Sequence, residues 1–429
     1  MMKNTQLLTS LRYALFSVLV ITVATASQVH AESIAITNAT VYTVTEQGVL
    51  SQATVMVDDG KISAVYSKDD LPASLSADII IDAKERILTP GFIASGNLLG
   101  LVEVGSVATT RDSADKKADV TFDASLAFNP KSTLIPYARK GGITTSLVMP
   151  YGGENVITGQ SFVVNLSGSF DSVMSQQNAV IVSLGANKKG SRAIKLQTLS
   201  NQLEDAKKAL VKAETAQAVD EKEDKTPSRE AQVINALLSG DKPLIAYADR
   251  ATDILALLSL KQRFNLNLVL AGASDAVLVS DEIANANVVV MMSAINNLPS
   301  SFDSLHNSLT NVAQLTKAGV KVIISNSGES YNINQLRFDA GIAVANGVAK
   351  TTALAAITAN VADSFNLNTG RIAVGKNADI VLWSGDPFEI STKVDAMWIN
   401  GQAMSLKSRQ DALRDRYISA TELPRAYTK

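Results

Sequence analysis

Polar and apolar positions alternate from Ile34 to Val44 (IAITNATVYTV), with β-branched residues throughout, which predicts strand. Asp58-Asp59-Gly60-Lys61 reads as a hairpin turn between strands Ala53–Val57 and Ile62–Tyr66. After Pro90 the rhythm changes to short apolar runs separated by helical periodicity. Pro243–Ala246, Leu268–Leu270, Val288–Met292 and Val320–Ile324 read as buried strands. Helices are predicted over Thr252–Phe264, near Asp275–Ala284, and from Ser300 or Ser301 to Lys317. In the last of these, Phe302, Leu305, Leu309, Val312 and Leu315 share one face, and His306 falls in mid-helix. Strands alternating with helices imply a parallel sheet, and about 280 residues of it fit a closed (β/α)8 barrel of the α/β class. An open doubly wound sheet is the alternative, but no GxGxxG follows the first strand.

Strand character returns beyond Ile372, in Ala378–Trp383 and Val394–Ile399. The expected organisation is a composite β-sandwich from residues 32–89 and 373–408 flanking a barrel over 90–372. Residues 201–230 are rich in charge, and Leu203, Ala206, Leu210 and Ala213 suit an exposed amphipathic helix, so a solvated insertion is expected there. The polar stretch 409–429 reads as a helical tail with no assigned role.

Composition narrows the chemistry. Lys and Arg number 39 against 41 Asp and Glu, so no basic surplus exists to neutralise a nucleic-acid backbone. Cysteine is absent, which removes disulfides, thiolate metal sites and thiol nucleophiles. Histidine occurs twice. The N-terminus carries Lys3 and Arg12, an apolar stretch from Tyr13 to about Ala26, and small residues at Val29-His30-Ala31. These are the parts of a secretory signal cleaved after Ala31, with an apolar stretch shorter than the roughly 20 residues a span needs. The expectation is a periplasmic or secreted product with no membrane span after signal removal, in which His306 is the one imidazole.

Several motifs then carry a resemblance. Ala353–Ala362 (ALAAITANVA) followed by Gly370–Trp383 (GRIAVGKNADIVLW), with Gly385-Asp386-Pro387 beyond, resembles the C-terminal part of the amidohydrolase superfamily. Asp82–Ile93 (DAKERILTPGFI) resembles that family's entry into the first barrel strand. Gly141–Pro150 (GGITTSLVMP) and Ile157–Gln160 (ITGQ) resemble its imidazolonepropionase-related branch. The resemblance implies a TIM-like barrel with a small β-sandwich built from both chain ends. It also implies hydrolysis of cyclic amides or peptide-like bonds with one or two divalent metals, zinc or another. Such a metal lowers the pKa of its bound water from about 15.7 to near 7.

The family's ligand positions fall on other residue types. Its His-x-His lands on Gly96 and Leu98, with Ala94 in place of the acid. The fifth-strand histidine lands on Tyr247 in PLIAYADR, and the sixth-strand one on Gly272 in LVLAGASD. The final aspartate lands on Ser327, or on Asn326 with a one-residue slip. No motif fixes a bridging lysine among Lys188, Lys189 and Lys195. Glycine and leucine offer no lone pair, and a neutral tyrosine or serine is a poor zinc ligand. The expectation is therefore a degenerate member with no metal, no other cofactor and no catalytic residue.

Rescue chemistry is thin. His306 reads as a surface or packed histidine. Glu103, Asp112, Asp249 and Asp275 have no ligand spacing, and Asp249-Arg250 reads as a rim ion pair. Ser113-Ala-Asp-Lys116 matches a nucleophile–base spacing but sits in a charged loop or solvated helix. The expected function is a non-catalytic binding protein, or a subunit homo- or hetero-oligomerised with an active amidohydrolase. The first would hold a small molecule or peptide in a mouth lined by Asn97, Tyr247, Asp249, Asn326 and Ser327. The alternative is a carbon–nitrogen hydrolase acting on cyclic amides or dipeptide-like substrates through a non-standard site.

Overall fold

The strands of the described residues fall into two sheets of eight. The computed structural model describes residues 32–185, 190–218, 227–326 and 330–418. The expected export signal with its expected cleavage point at Ala31, Lys188, Lys189, Ser327 and the end of the tail lie outside the described residues.

The first sheet takes β1 (Ile34–Tyr42), β2 (Val49–Asp58), β3 (Lys61–Tyr66), β4 (Ile79–Asp82) and β5 (Ile87–Pro90) from the N-terminal part. β1 runs antiparallel to β2 and parallel to β4 and β5. The hairpin expected at Asp58–Lys61 forms there, pairing Asp58 with Lys61. Asp59 at φ 45° and Gly60 at φ 73° give the two left-handed residues that a tight hairpin of right-twisted strands requires.

The second sheet is the barrel wall: β6 (Phe92–Asn97), β7 (Ile143–Val148), β8 (Ile157–Asn165), β9 (Val173–Ser183), β10 (Leu244–Ala248), β11 (Leu268–Gly272), β12 (Val289–Met292) and β13 (Val322–Ile324). Sequence order is spatial order, from β6 at one end to β13 at the other. A methyl built on Gly96 of β6 would lie 3.5 Å from Ser325 Cβ just beyond β13, so the sheet curls until its ends nearly meet. The wall is parallel except at β8, which is antiparallel to both β7 and β9. Ile93, Leu147, Val163, Ile181, Ile245, Val269, Met291 and Ile323 fill the interior, and Val361 and Phe365 pack with them.

The first sheet is completed by β14 (Ile380–Trp383), β15 (Val394–Ile399) and β16 (Gln402–Ala403). β14 lies antiparallel to β5, which joins the two chain ends. Trp383 stacks on Phe92 with ring centroids 5.2 Å apart and donates its indole N–H to Thr89 Oγ1 at 2.8 Å. Any Cβ at Gly142 would meet that indole at 2.4 Å, so the glycine lets β7 approach the sandwich. The motif residue Asp379 is buried and accepts from the Asn400 N–H at 2.8 Å, which ties β14 to the turn after β15.

One local reading is corrected and two are given detail. The helix expected from Ser300 to Lys317 exists over Asn311–Lys317 alone. Ser304 Oγ accepts from the N–H groups of Ser300 and Ser301, and Ser301 Oγ accepts from that of Asp303. Such side-chain bonds compete with helical ones, leaving Phe302 at 88% and Leu305 at 57% exposure. The charged segment begins inside helix Arg192–Ala218, which leads from β9 toward β10. Leu203, on the apolar side expected of an amphipathic helix, is buried in the layer between wall and helices, as is Leu199. The polar tail forms helix Arg409–Ile418, and Lys140 Nζ bonds both carboxylate oxygens of Asp411 at 2.8 Å. No helix among the described residues is long and apolar enough to cross a membrane.

Candidate functional site

In a barrel of this kind the strands' C-terminal ends share one face, and the loops that follow them build the site. A cavity of about 440 Å3 opens there. It is bounded by Gly96 of β6, Ser183 of β9, Tyr247 and Asp249 from the end of β10, and Gly272 of β11. Met291 of β12 and Ser325 and Asn326 after β13 complete that side. The antiparallel β8 contributes its first turn through Thr158, since its N-terminal end is the one at this face.

Register sets the floor. Tyr247 pairs with Ser183 on one side and Ala271 on the other, Ala271 with Met291, and Met291 with Ile323. Residues level with one another across parallel strands point the same way, so these form one inward layer. Tyr247 is the large polar member of it. Burial, with Tyr151 nearby, pushes its phenol pKa well above the usual tyrosine range, so it stays a neutral hydroxyl at physiological pH.

Gly96 and Gly272 border the cavity with left-handed backbones, φ 74° and 78°. At Gly272 a Cβ would stand 2.9 Å from Asp249 Oδ1. The missing side chain makes room for that carboxylate, whose Oδ1 accepts from the Ser274 N–H at 3.3 Å and its hydroxyl at 3.0 Å. Asn326 is nine-tenths buried, and its Nδ2 donates to Asn332 O at 3.4 Å. Its Oδ1 is buried without a hydrogen-bond partner among the described residues.

Of the family positions, then, Gly96, Tyr247 and Gly272 come together at the mouth. Leu98 instead packs against the outer apolar layer. Of the expected pocket residues, Tyr247, Asp249 and Asn326 line the cavity, whereas Asn97 turns away. The Asn97 amide donates to Ser146 Oγ at 3.0 Å and its oxygen accepts from the Leu99 N–H at 3.0 Å. Sequence reasoning missed Met291 and Ser183, whose inward parity in strand runs was the available signal.

Charges around the rim pair with one another. Arg250 bonds Asp303 at 2.6 Å rather than its neighbour Asp249, and Arg192 bridges Asp253 and Asp303. His306 lies in the irregular stretch before Asn311, not in a helix, with Nδ1 2.7 Å from Asp275 Oδ1. Ser113 and Lys116 lie in irregular chain, not one turn apart on a helix. Among the described residues no three His, Cys, Asp or Glu side chains converge as a metal-binding group.

Comparison with known proteins follows this geometry. The model of the Amidohydrolase family matches residues 230–404. Amidohydrolase tasK of Hapsidospora irregularis is 23% identical over 394 residues, covering 81% of this chain and 39% of that protein, so the chain spans well under half of that relative. An amidohydrolase from Thermotoga maritima MSB8 superposes with a TM-score of 0.78 at 24% identity, over 87% of this chain and 99% of that one. A zinc-bound adenosine deaminase from Xanthomonas campestris superposes with a TM-score of 0.53 at 16% identity, over 90% of this chain and 99% of its own. At these identities the structural likenesses speak for the fold.

Proposed function

We propose that the chain is a member of the amidohydrolase superfamily whose barrel mouth is a small-molecule receptor site and not a metal-hydrolysis centre. One observation carries the reading: the cavity persists where the strands end, while Gly96 and Gly272 on its border offer no donor atom. Structural zinc sites take four donors, and catalytic ones three protein donors and a water. Tyr247 is a half-buried neutral phenol, and Asp249 is a single carboxylate with one oxygen engaged by Ser274. This donor set does not fit a divalent ion, so no hydrolytic step is routed through one.

The volume suits the reading, since small-molecule pockets run from about 300 to 1,000 Å3. The walls combine apolar surface with a few directed polar groups, the usual makings of such a pocket.

The test is elemental analysis of the dialysed full chain beside a hydantoin, dipeptide and imidazolone panel. The expected result is well under one equivalent of zinc and no turnover, with or without added Zn2+, Mn2+ or Mg2+. Stoichiometric, dialysis-resistant metal accompanied by hydrolysis would overturn the reading in favour of a carbon–nitrogen hydrolase with an unorthodox site.

A further inference from the structure

We propose that the mouth receives a small organic cation, an amine or amidinium, held by Asp249 and Asn326; this rests on the receptor reading above. Asp249 Oδ1 takes two donors from Ser274, while Oδ2 has no donor among the described residues. Asn326 Oδ1, on the same cavity, is buried without a partner among the described residues. Its amide is oriented by the Nδ2 bond to Asn332 O, which leaves the oxygen as the free end.

A buried amide oxygen left without a donor is costly unless one arrives, and the Asp249 carboxylate on the same cavity adds a negative charge. The described wall brings no cation to them: no Lys, Arg or His is among the residues bounding the cavity. Among the described residues the rim charges are engaged elsewhere, Arg192 and Arg250 with Asp253 and Asp303, and His306 with Asp275. A ligand with several N–H groups and a positive charge meets both oxygens at once. An anionic ligand would face Asp249 with no compensating charge.

The remaining wall agrees. Tyr151 and Tyr247 present aromatic rings and Met291 a thioether, surfaces that favour an organic cation over a hydrated metal ion. Gly272 is part of the device, since a Cβ there would stand 2.9 Å from Asp249 Oδ1 and drive the carboxylate from its place.

Benzamidine, benzamide and benzoate share one ring and nearly one shape, and differ in charge. Titrated calorimetrically into the full chain at pH 7, benzamidine is expected to bind one to one, at least about tenfold tighter than the other two, a difference of about 1.4 kcal/mol. Asp249→Asn should lower benzamidine affinity by about tenfold or more while leaving benzamide unchanged. Asn326→Ala should weaken it by a smaller factor, and it carries the residue test where Asp249→Asn does not fold. Binding of benzamide or benzoate as tight as benzamidine would overturn the inference, as would undiminished affinity in Asp249→Asn. So would failure of benzamidine, phenethylamine and agmatine alike to bind. None of these results is stoichiometric zinc with turnover, so the cation inference and the receptor reading fail by different observations.

Discussion

Gly272→Ala isolates the contact on which the mouth's electrostatics turn. Two costs are legible in the structure. The backbone stands at φ 78°, a region that costs a residue with a Cβ about 1–2 kcal/mol. The new carbon would also lie 2.9 Å from Asp249 Oδ1, inside any normal contact, so the carboxylate must retreat. It then gives up the Ser274 N–H and hydroxyl, bonds of 3.3 and 3.0 Å. Hydrogen bonds to charged groups contribute about 1.5–3 kcal/mol each, but these are long and water can replace them, so about 1–2 kcal/mol for the pair is reasonable. The total is about 2–4 kcal/mol, read as a lower urea midpoint at constant slope. Gly319→Ala supplies the control, since Gly319 has φ 85° but nothing within 4 Å of a built Cβ, and should show the backbone cost alone. In an Asp249→Ala background the clash is gone, so Gly272→Ala should fall to the same value, a coupling of about 1–2 kcal/mol. If Gly272→Ala costs no more than Gly319→Ala, or the double variant is additive, the account of Asp249 held in place by a missing Cβ is wrong.

Two further outcomes test the scaffold. Asp339 is buried in helix Leu336–Ala345, and desolvation pushes its carboxyl up to about 7 from the usual 3.8. The folded chain therefore keeps a proton that the unfolded chain has lost, and this group's contribution to stability, full below about pH 4, is lost as pH rises through about 7. Asp339→Asn should flatten that fall, gaining up to about 4 kcal/mol in urea melts at pH 8 and little at pH 4; equal gains at both pH values would refute the assignment. Arg139 is buried in helix Leu134–Arg139 and donates to the carbonyls of Leu166 at 2.6 Å, Ser167 at 2.7 Å and Ser405 at 3.1 Å. Arg139→Met should cost about 2–5 kcal/mol, and Arg139→Lys should recover only part because an ammonium lacks the planar fork; an unchanged thermal midpoint for either would contradict this.

Much of the architecture was legible in the residues because its causes are local. The Asp59-Gly60 pair selects a tight hairpin wherever it sits, and apolar runs such as Leu244–Ala248 and Leu268–Gly272 can be satisfied only as buried strands. Helix Ala251–Phe264 follows from its 3.6-residue periodicity, with Asn265 ending it at φ 53°. The same local logic failed at Ser300–Thr310, where apolar spacing promised a helix and serine side chains captured the backbone instead.

What the residues determined alone is thus the order of strands and helices and the residue types available at the strand ends. Which of them meet was decided in three dimensions. Asp249 and Gly272 are far apart in sequence yet within contact across two neighbouring strand ends. Asn97 and Asn326 are both asparagines just beyond inward strand residues, but Ser146 draws one away while the other faces the cavity. The direction of β8 also has no local signature, since a strand's own pattern is identical read either way. Periodicity says which face of an element is apolar; only the closing of the wall says which polar groups then share the space at its end.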